Sequence, residues 1–189
     1  VQSKEDSFSG LERRYNDVLM DVAKARGDIK AARKMAEDAF YNSHHRQTYY
    51  DELRKLVPEA EWPAYLEGII ERLKQDQSRT SRYMLRHIFV SEERWDDVMD
   101  LALHTQDFSL ISQHRGVLYK RYPEKIADLY ERKVYAMLQN TGRNIYKESV
   151  GFLRAIIKLD SKQRAFKIVD DLKNKYPKRR AMIEELDKL

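Results

Sequence analysis

The sequence predicts an all-α protein, an irregular array of about eleven antiparallel helices. Three observations predict it. Apolar residues recur at three- and four-residue steps along nearly the whole chain, the period of one helix face. The breaks between such runs are only a few residues long, and short links turn successive helices antiparallel. Gly and Pro number 6 and 4 in 189 residues, too few for the many tight turns of an all-β fold.

The first run is Leu11, Tyr15, Val18, Leu19 and Val22, read as one stripe on a first helix. Gly27-Asp28 ends it: glycine accepts a left-handed backbone, and Asp28 caps the next helix. That second helix carries Ile29, Ala32, Met35, Ala36, Ala39 and Phe40. Tyr49, Tyr50, Leu53 and Leu56 mark a third, stopped before Pro58. A fourth, with Pro63 in its first turn, carries Tyr65, Leu66, Ile69, Ile70 and Leu73. The polar stretch Gln75-Asp76-Gln77-Ser78 leads into a fifth with Tyr83, Met84, Ile88 and Phe89.

Ser91 is the expected cap of a sixth helix, with acidic residues in its first turn and Trp95, Val98, Met99, Leu101 and Ala102 inside. Asp107 caps a seventh that runs from Phe108 through Ile111 and Val117 to Leu118. Pro123 opens an eighth, bearing Ile126, Leu129, Tyr130, Val134 and Leu138. After the break at Thr141-Gly142-Arg143-Asn144 come Tyr146, Val150, Leu153 and Ile157, then Ala165, Ile168, Val169 and Leu172. A short last helix follows Tyr176-Pro177 with Met182, Ile183, Leu186 and Leu189.

Three helix starts echo one another, each with an apolar residue three before a small or β-branched one: Ile29 and Ala32, Trp95 and Val98, Tyr146 and Ser149. The first two lie 66 residues apart, which fits two units of about 33, a tetratricopeptide-like period. The second spacing, 51 residues, breaks that period. The expectation is a tetratricopeptide-like αα superhelix or solenoid of uneven repeats, in one domain over residues 1–189 with 1–7 flexible.

Composition excludes several functions. With no cysteine there is no disulfide, zinc ribbon, iron–sulfur site or thiol nucleophile, which fits a reducing, cytoplasmic setting. No apolar run approaches the roughly 18–20 residues of a membrane span. The start, Val1 to Ser7, has neither the basic nor the apolar region of a signal peptide and lacks an initiator Met, so the chain reads as a fragment of a longer protein. His44 and His45 point about 100° apart on a helix and do not share a metal, whereas a two-histidine helix site needs an i, i+4 spacing. His87, His104 and His114 are scattered singly. The acid pairs Glu92-Glu93, Asp96-Asp97 and Asp170-Asp171 suit caps and solvated faces better than two carboxylates poised across a cleft. No phosphate loop, dinucleotide turn or nucleophile elbow is present, so no catalytic residue, cofactor site or metal site is expected.

Charge and aromatic content point to binding instead. Residues 143–180 hold twelve Lys or Arg against four Asp or Glu, a local +8 in a chain of net +5. Lys147, Arg154 and Lys158 share one helix face; Lys162, Arg164 and Lys167 continue the charge on the next helix, and Lys178, Arg179 and Arg180 extend it. These nine residues are the candidate partner surface. A solvated helix face is the simplest account of them, and an acidic protein or a nucleic acid is the functional one. Most of the twelve tyrosines and two tryptophans belong in the core at helical spacing, and some line a groove.

The run from Tyr49 to Pro58, followed by Glu61-Trp62-Pro63, resembles the helical region of bacterial SWIM zinc-finger domain proteins. The likeness continues in 93–97, in 122–126 and in Tyr146-Lys147-Glu148, and is firmest from Lys178 to Leu189, which looks like the C-terminus of those proteins. The resemblance implies a C-terminal, tetratricopeptide-like module, with zinc held by a cysteine-rich segment upstream of Val1 and no zinc ligand in this chain. Its expected role is a non-catalytic protein-interaction scaffold, with a nucleic-acid-binding appendage as the alternative.

Overall fold

Capping chemistry and glycine placement divide the chain into helices much as the spacing requires. The computed structural model describes residues 2–43, 45–76, 78–159 and 161–189, with side chains from Arg14 onward. Among the described residues there are twelve α-helices and no strand. They are α1 (Gln2–Ala25), α2 (Ile29–Asn42), α3 (Arg46–Leu56), α4 (Trp62–Gln75), α5 (Arg79–Ser91), α6 (Trp95–Thr105), α7 (Phe108–Gln113), α8 (Arg115–Arg121), α9 (Pro123–Met137), α10 (Arg143–Lys158), α11 (Lys162–Lys175) and α12 (Arg180–Leu186). The links are one to five residues long. The expectation of a flexible 1–7 segment falls on residues whose side chains lie outside those described.

The chain divides into two compact units, one ending at Glu92 and one beginning at Glu93. In the first, α1 packs on α2, α2 on α3, and α5 on both α3 and α4. Gly27, at φ 74°, makes the left-handed turn between α1 and α2, and Asp28 then accepts the Ala31 amide at 2.9 Å. Ser78 caps α5 in the same way through the Ser81 amide at 3.1 Å. The fully buried Ser81 hydroxyl donates to Asp76 at 2.6 Å and accepts from Arg46 at 3.0 Å, so this buried polar group is satisfied twice.

Several expectations about this unit change: Ile29 and Met35 of α2 and Tyr83 of α5, expected on apolar stripes, are exposed. The stripe Tyr15, Val18 and Val22 is not the core face of α1: these residues are 65%, 60% and 41% exposed. The inward face is Asp17, Met20, Ala23 and Lys24. Met20 and Ala23 are buried, Tyr49 donates to Asp17 at 3.3 Å, and Lys24 donates to Glu52 at 2.6 Å. The face of α1 that meets its neighbours thus combines two buried apolar residues with an ion pair and a hydroxyl contact to α3. Ser91 is the last residue of α5, not a cap for α6, and its hydroxyl donates back to the Ile88 carbonyl at 3.1 Å.

Gly68 stands exposed in the middle of α4, and a Cβ built there meets nothing within 4 Å. Gly68→Ala is therefore expected to stabilise the chain by about 0.5–1 kcal/mol, read as a higher urea midpoint at unchanged slope. A lower midpoint would show an unseen steric demand at this position.

In the second unit α6, α7 and α8 pack on one another, α9 lies between α8 and α10, and α10 also carries α11 and α12. Asp107 caps α7 through the Leu110 amide at 2.9 Å. The segment expected as one helix from Phe108 to Leu118 is two. His114 leaves helical geometry (φ −107°, ψ 22°), and its ring lies 5.7 Å from Trp95. The His114 carbonyl accepts the Leu118 amide at 3.0 Å, so the residue ends one helix and begins the next. This break raises the count from eleven to twelve.

Candidate functional site

On α10 the residues Tyr146, Ser149, Val150, Leu153 and Ile156 form the buried face. One step round the helix, Glu148, Gly151, Phe152 and Ala155 follow at helical spacing, partly or fully open to solvent. Across from them, Phe108, Ser112, Arg115 and Tyr119 recur at four-, three- and four-residue steps over α7 and α8. Tyr130 of α9, 4% exposed, closes the floor between the two rows.

The three aromatic rings pack against one another, Phe108 and Phe152 edge-on and the other two pairs tilted. Phe108 and Phe152 have centroids 5.2 Å apart at 66°, Tyr130 and Phe152 are 5.3 Å apart at 60°, and Phe108 and Tyr130 are 6.1 Å apart. The Tyr119 and Tyr130 hydroxyls meet at 3.2 Å. Burial, and then this contact, push the Tyr130 hydroxyl far above the ordinary tyrosine range, so it stays protonated. Two adjoining hollows result, of about 380 and 410 Å³, which share Ser112, Tyr119, Gly151 and Ala155. The first holds the aromatic floor and Glu148; the second is lined by Arg115, Arg154 and Lys158. Lys133 adds a cation 5.3 Å from the Phe108 ring.

The nine candidate basic residues separate into two groups. Lys147, Lys158, Lys162, Lys167, Lys178 and Arg180 are exposed, and among the described residues no carboxylate pairs with them. Lys162 lies 5.8 Å from the Phe166 ring. The other three are engaged in the fold. Arg154 donates to the Lys188 carbonyl at 3.0 Å. Arg179 donates to the Leu138 and Asn140 carbonyls at 2.5 and 3.3 Å, and stacks 4.0 Å from Tyr176. Arg164 sits among three carboxylates of α9: Asp128 at 2.5 Å, Glu131 at 2.6 Å and Glu124 at 3.5 Å.

Only Arg154 and Lys158 of the nine reach the groove. A wider cleft of about 1020 Å³ is lined by Lys162, Arg164, Phe166 and Lys167, but also by Glu124 and Asp170. Its central cation is already saturated by carboxylates, so it offers less to a charged ligand. Helical spacing places Phe108 and Tyr130 on core stripes and does not distinguish Arg115, Tyr119 or Phe152. The usable signal is the 108, 112, 115, 119 spacing, an amphipathic edge that lines the two hollows together with α10.

The described histidines lie apart from one another along the chain, and at least one member of each acid pair is held by a contact within the fold. His87 lies edge-on to Tyr50 at 5.8 Å, His104 is exposed in the last turn of α6, and His44 lies outside the described residues. Glu92 accepts from the Tyr50 hydroxyl at 2.7 Å and the Trp62 indole at 3.2 Å. Asp96 accepts from Tyr122 at 2.6 Å, and Asp97 accepts from Arg94 at 2.7 Å. Asp171 accepts from Tyr135 at 2.9 Å. Among the described residues no three His, Asp or Glu side chains gather as a metal would require.

These contacts set a pH window. Hydrogen bonds from Lys24 and Lys55 hold Glu52 below the usual carboxylate range, those from Ser81 and Ser78 do so for Asp76, and those from Lys188 and Arg143 for Glu185. A carboxyl depressed in the folded state stabilises above its unfolded pKa and loses that contribution as pH falls through the folded one. Burial, and then the nearby charge of Glu37, push Tyr65 up to about 12; burial and the bond to Asp171 push Tyr135 up to about 12, and burial and the bond to Glu92 push Tyr50 higher still. Hydroxyls raised in this way stabilise below the ordinary tyrosine pKa of about 10 and lose that contribution as pH rises. Urea midpoints are expected to be flat from about pH 5 to 9.5 and to fall on both sides. A midpoint rising below pH 4 would contradict the carboxylate assignments.

No helix among the described residues is long and apolar enough to cross a membrane. No protein-family model matches this chain, and no match to it was found among curated proteins or among solved structures.

Proposed function

We propose that the chain is a non-catalytic protein-interaction module that grips a segment of its partner between α7–α8 and α10. The observation that carries this reading is the preformed aromatic floor of Phe108, Tyr130 and Phe152 beside a basic wall of Arg115, Arg154 and Lys158. Aromatic and arginine side chains in a ready-made hollow supply most of the binding energy in such interfaces, because little side-chain entropy remains to be lost. Stacked hairpins of the tetratricopeptide-like kind suit the role, since each leaves a groove beside its neighbour. On the SWIM resemblance, the module serves a SWIM zinc-finger-type protein of the bacterial cytoplasm.

The test is quantitative capture with the full chain and with Phe152→Glu. Proteins held by the parent and lost with the variant, at matched circular dichroism melts, support the reading. A partner set indifferent to the change removes the groove from it.

The six exposed cations favour a second reading, a nucleic-acid-binding appendage. Binding of duplex or single-stranded DNA or RNA would then weaken steeply with salt. A fluorescence titration with no binding at low salt removes it.

A further inference from the structure

Resting on the protein-binding reading, we infer that the groove takes an extended acidic peptide that inserts one aromatic or long aliphatic side chain over Phe108 and Phe152 and lays carboxylates against Arg115, Arg154 and Lys158. The charge of the groove has a direction. Glu148 lines the first hollow with the aromatic rings, and the three cations line the second. Along α10, Phe152 to Lys158 is six residues, about 9 Å of helix, and an extended peptide covers that distance in about three residues. The acidic positions therefore lie within about three residues of the anchor, on one side of it. Arg154 is held by the Lys188 carbonyl at 3.0 Å, so its guanidinium is in place before the peptide arrives.

A single nucleic-acid strand fits less well. Successive bases need aromatic faces presented in series, whereas Phe152 meets Tyr130 and Phe108 at 60° and 66°, and the remaining pair, Phe108 and Tyr130 at 31°, is in part closed off because Tyr130 is 4% exposed. A phosphate backbone running the length of the groove would also meet Glu148.

Selection of random peptides of about twelve residues, displayed against the immobilised full chain, tests the inference. The enriched peptides are expected to pair Phe, Trp, Leu or Met with Asp or Glu within three residues. Measured by fluorescence anisotropy, their affinity should fall about tenfold or more in the double variant Arg115→Glu/Lys158→Glu, and should weaken with salt. Neither residue has a carboxylate partner among the described residues, so that variant is expected to melt like the parent. Enriched peptides that are neutral or basic, or acidic ones indifferent to charge reversal, overturn the acidic-peptide inference. If Phe152→Glu still abolishes their binding, the groove reading stands. Peptides indifferent to Phe152→Glu, or no enrichment at all, overturn both. Displacement of the peptides by oligouridylate at lower concentration than by unlabelled peptide would assign the groove to RNA.

Discussion

Trp62→Ala is expected to destabilise the first unit by about 3–5 kcal/mol, the usual cost of emptying a buried indole site. Trp62 is 4% exposed, and its ring lies 5.7 Å from Tyr50 and 6.1 Å from Tyr65. Arg54 covers it at 4.9 Å, and its indole N–H donates to Glu92 at 3.2 Å. Alanine removes packing from three directions and takes one donor from a half-buried carboxylate that then keeps the Tyr50 hydroxyl. Trp62→Phe keeps most of the packing and loses only the donor and part of the volume, so about 1–2 kcal/mol is expected. Urea unfolding followed by far-ultraviolet circular dichroism measures both. A loss below about 1 kcal/mol for the alanine variant would mean that this cluster does not hold α3, α4 and the end of α5 together.

Arg164→Ala is the second large effect, about 1–3 kcal/mol. Its guanidinium donates to Glu131 at 2.6 Å and Asp128 at 2.5 Å, with Glu124 at 3.5 Å. Those three acids are spaced four and three residues apart, so they share one face of α9 and repel once the cation is gone. Lysine in its place keeps the charge but not the planar fork that serves two carboxylates at once, so Arg164→Lys should recover only part of the loss. Added salt should narrow the deficit, because the acids are partly solvated. Lys158→Ala, on the same basic third of the chain, is expected to stay within about 0.5 kcal/mol of the parent. Equal midpoints for Arg164→Ala and Lys158→Ala would sink the distinction between a cation that ties α11 to α9 and one left open to a partner.

That distinction marks where sequence reading stops. Twelve basic residues between 143 and 180 look alike on a helical wheel, since each falls on a polar position. Which are spent in the fold depends on what another helix places opposite: Glu124, Asp128 and Glu131 for Arg164, and the Leu138 and Asn140 carbonyls for Arg179. The break at His114 was hidden for a related reason. Ile111 and Leu118 are seven residues apart, a spacing that serves an unbroken helix equally well, and both are buried. In the sequence Phe108, Ser112, Arg115 and Tyr119 form one amphipathic helix edge, and nothing in their spacing shows that α10 stands across from it.

Local chemistry alone was enough for the helix ends at Gly27-Asp28, Asp107 and Pro123. A left-handed glycine, a capping oxygen three residues before an amide, or a ring that fixes φ acts within one turn of the backbone. The all-α class follows from the same short-range rules repeated along the chain. The choice of face on α1 does not. Tyr15, Val18 and Val22 are the more apolar set, yet Asp17, Met20, Ala23 and Lys24 turn inward, where Tyr49 and Glu52 of α3 meet Asp17 and Lys24. Periodicity names the faces a helix has. Which face is covered, and so which cations and aromatic rings remain for a partner, is decided by side chains of other helices, whose contacts no spacing within one helix encodes.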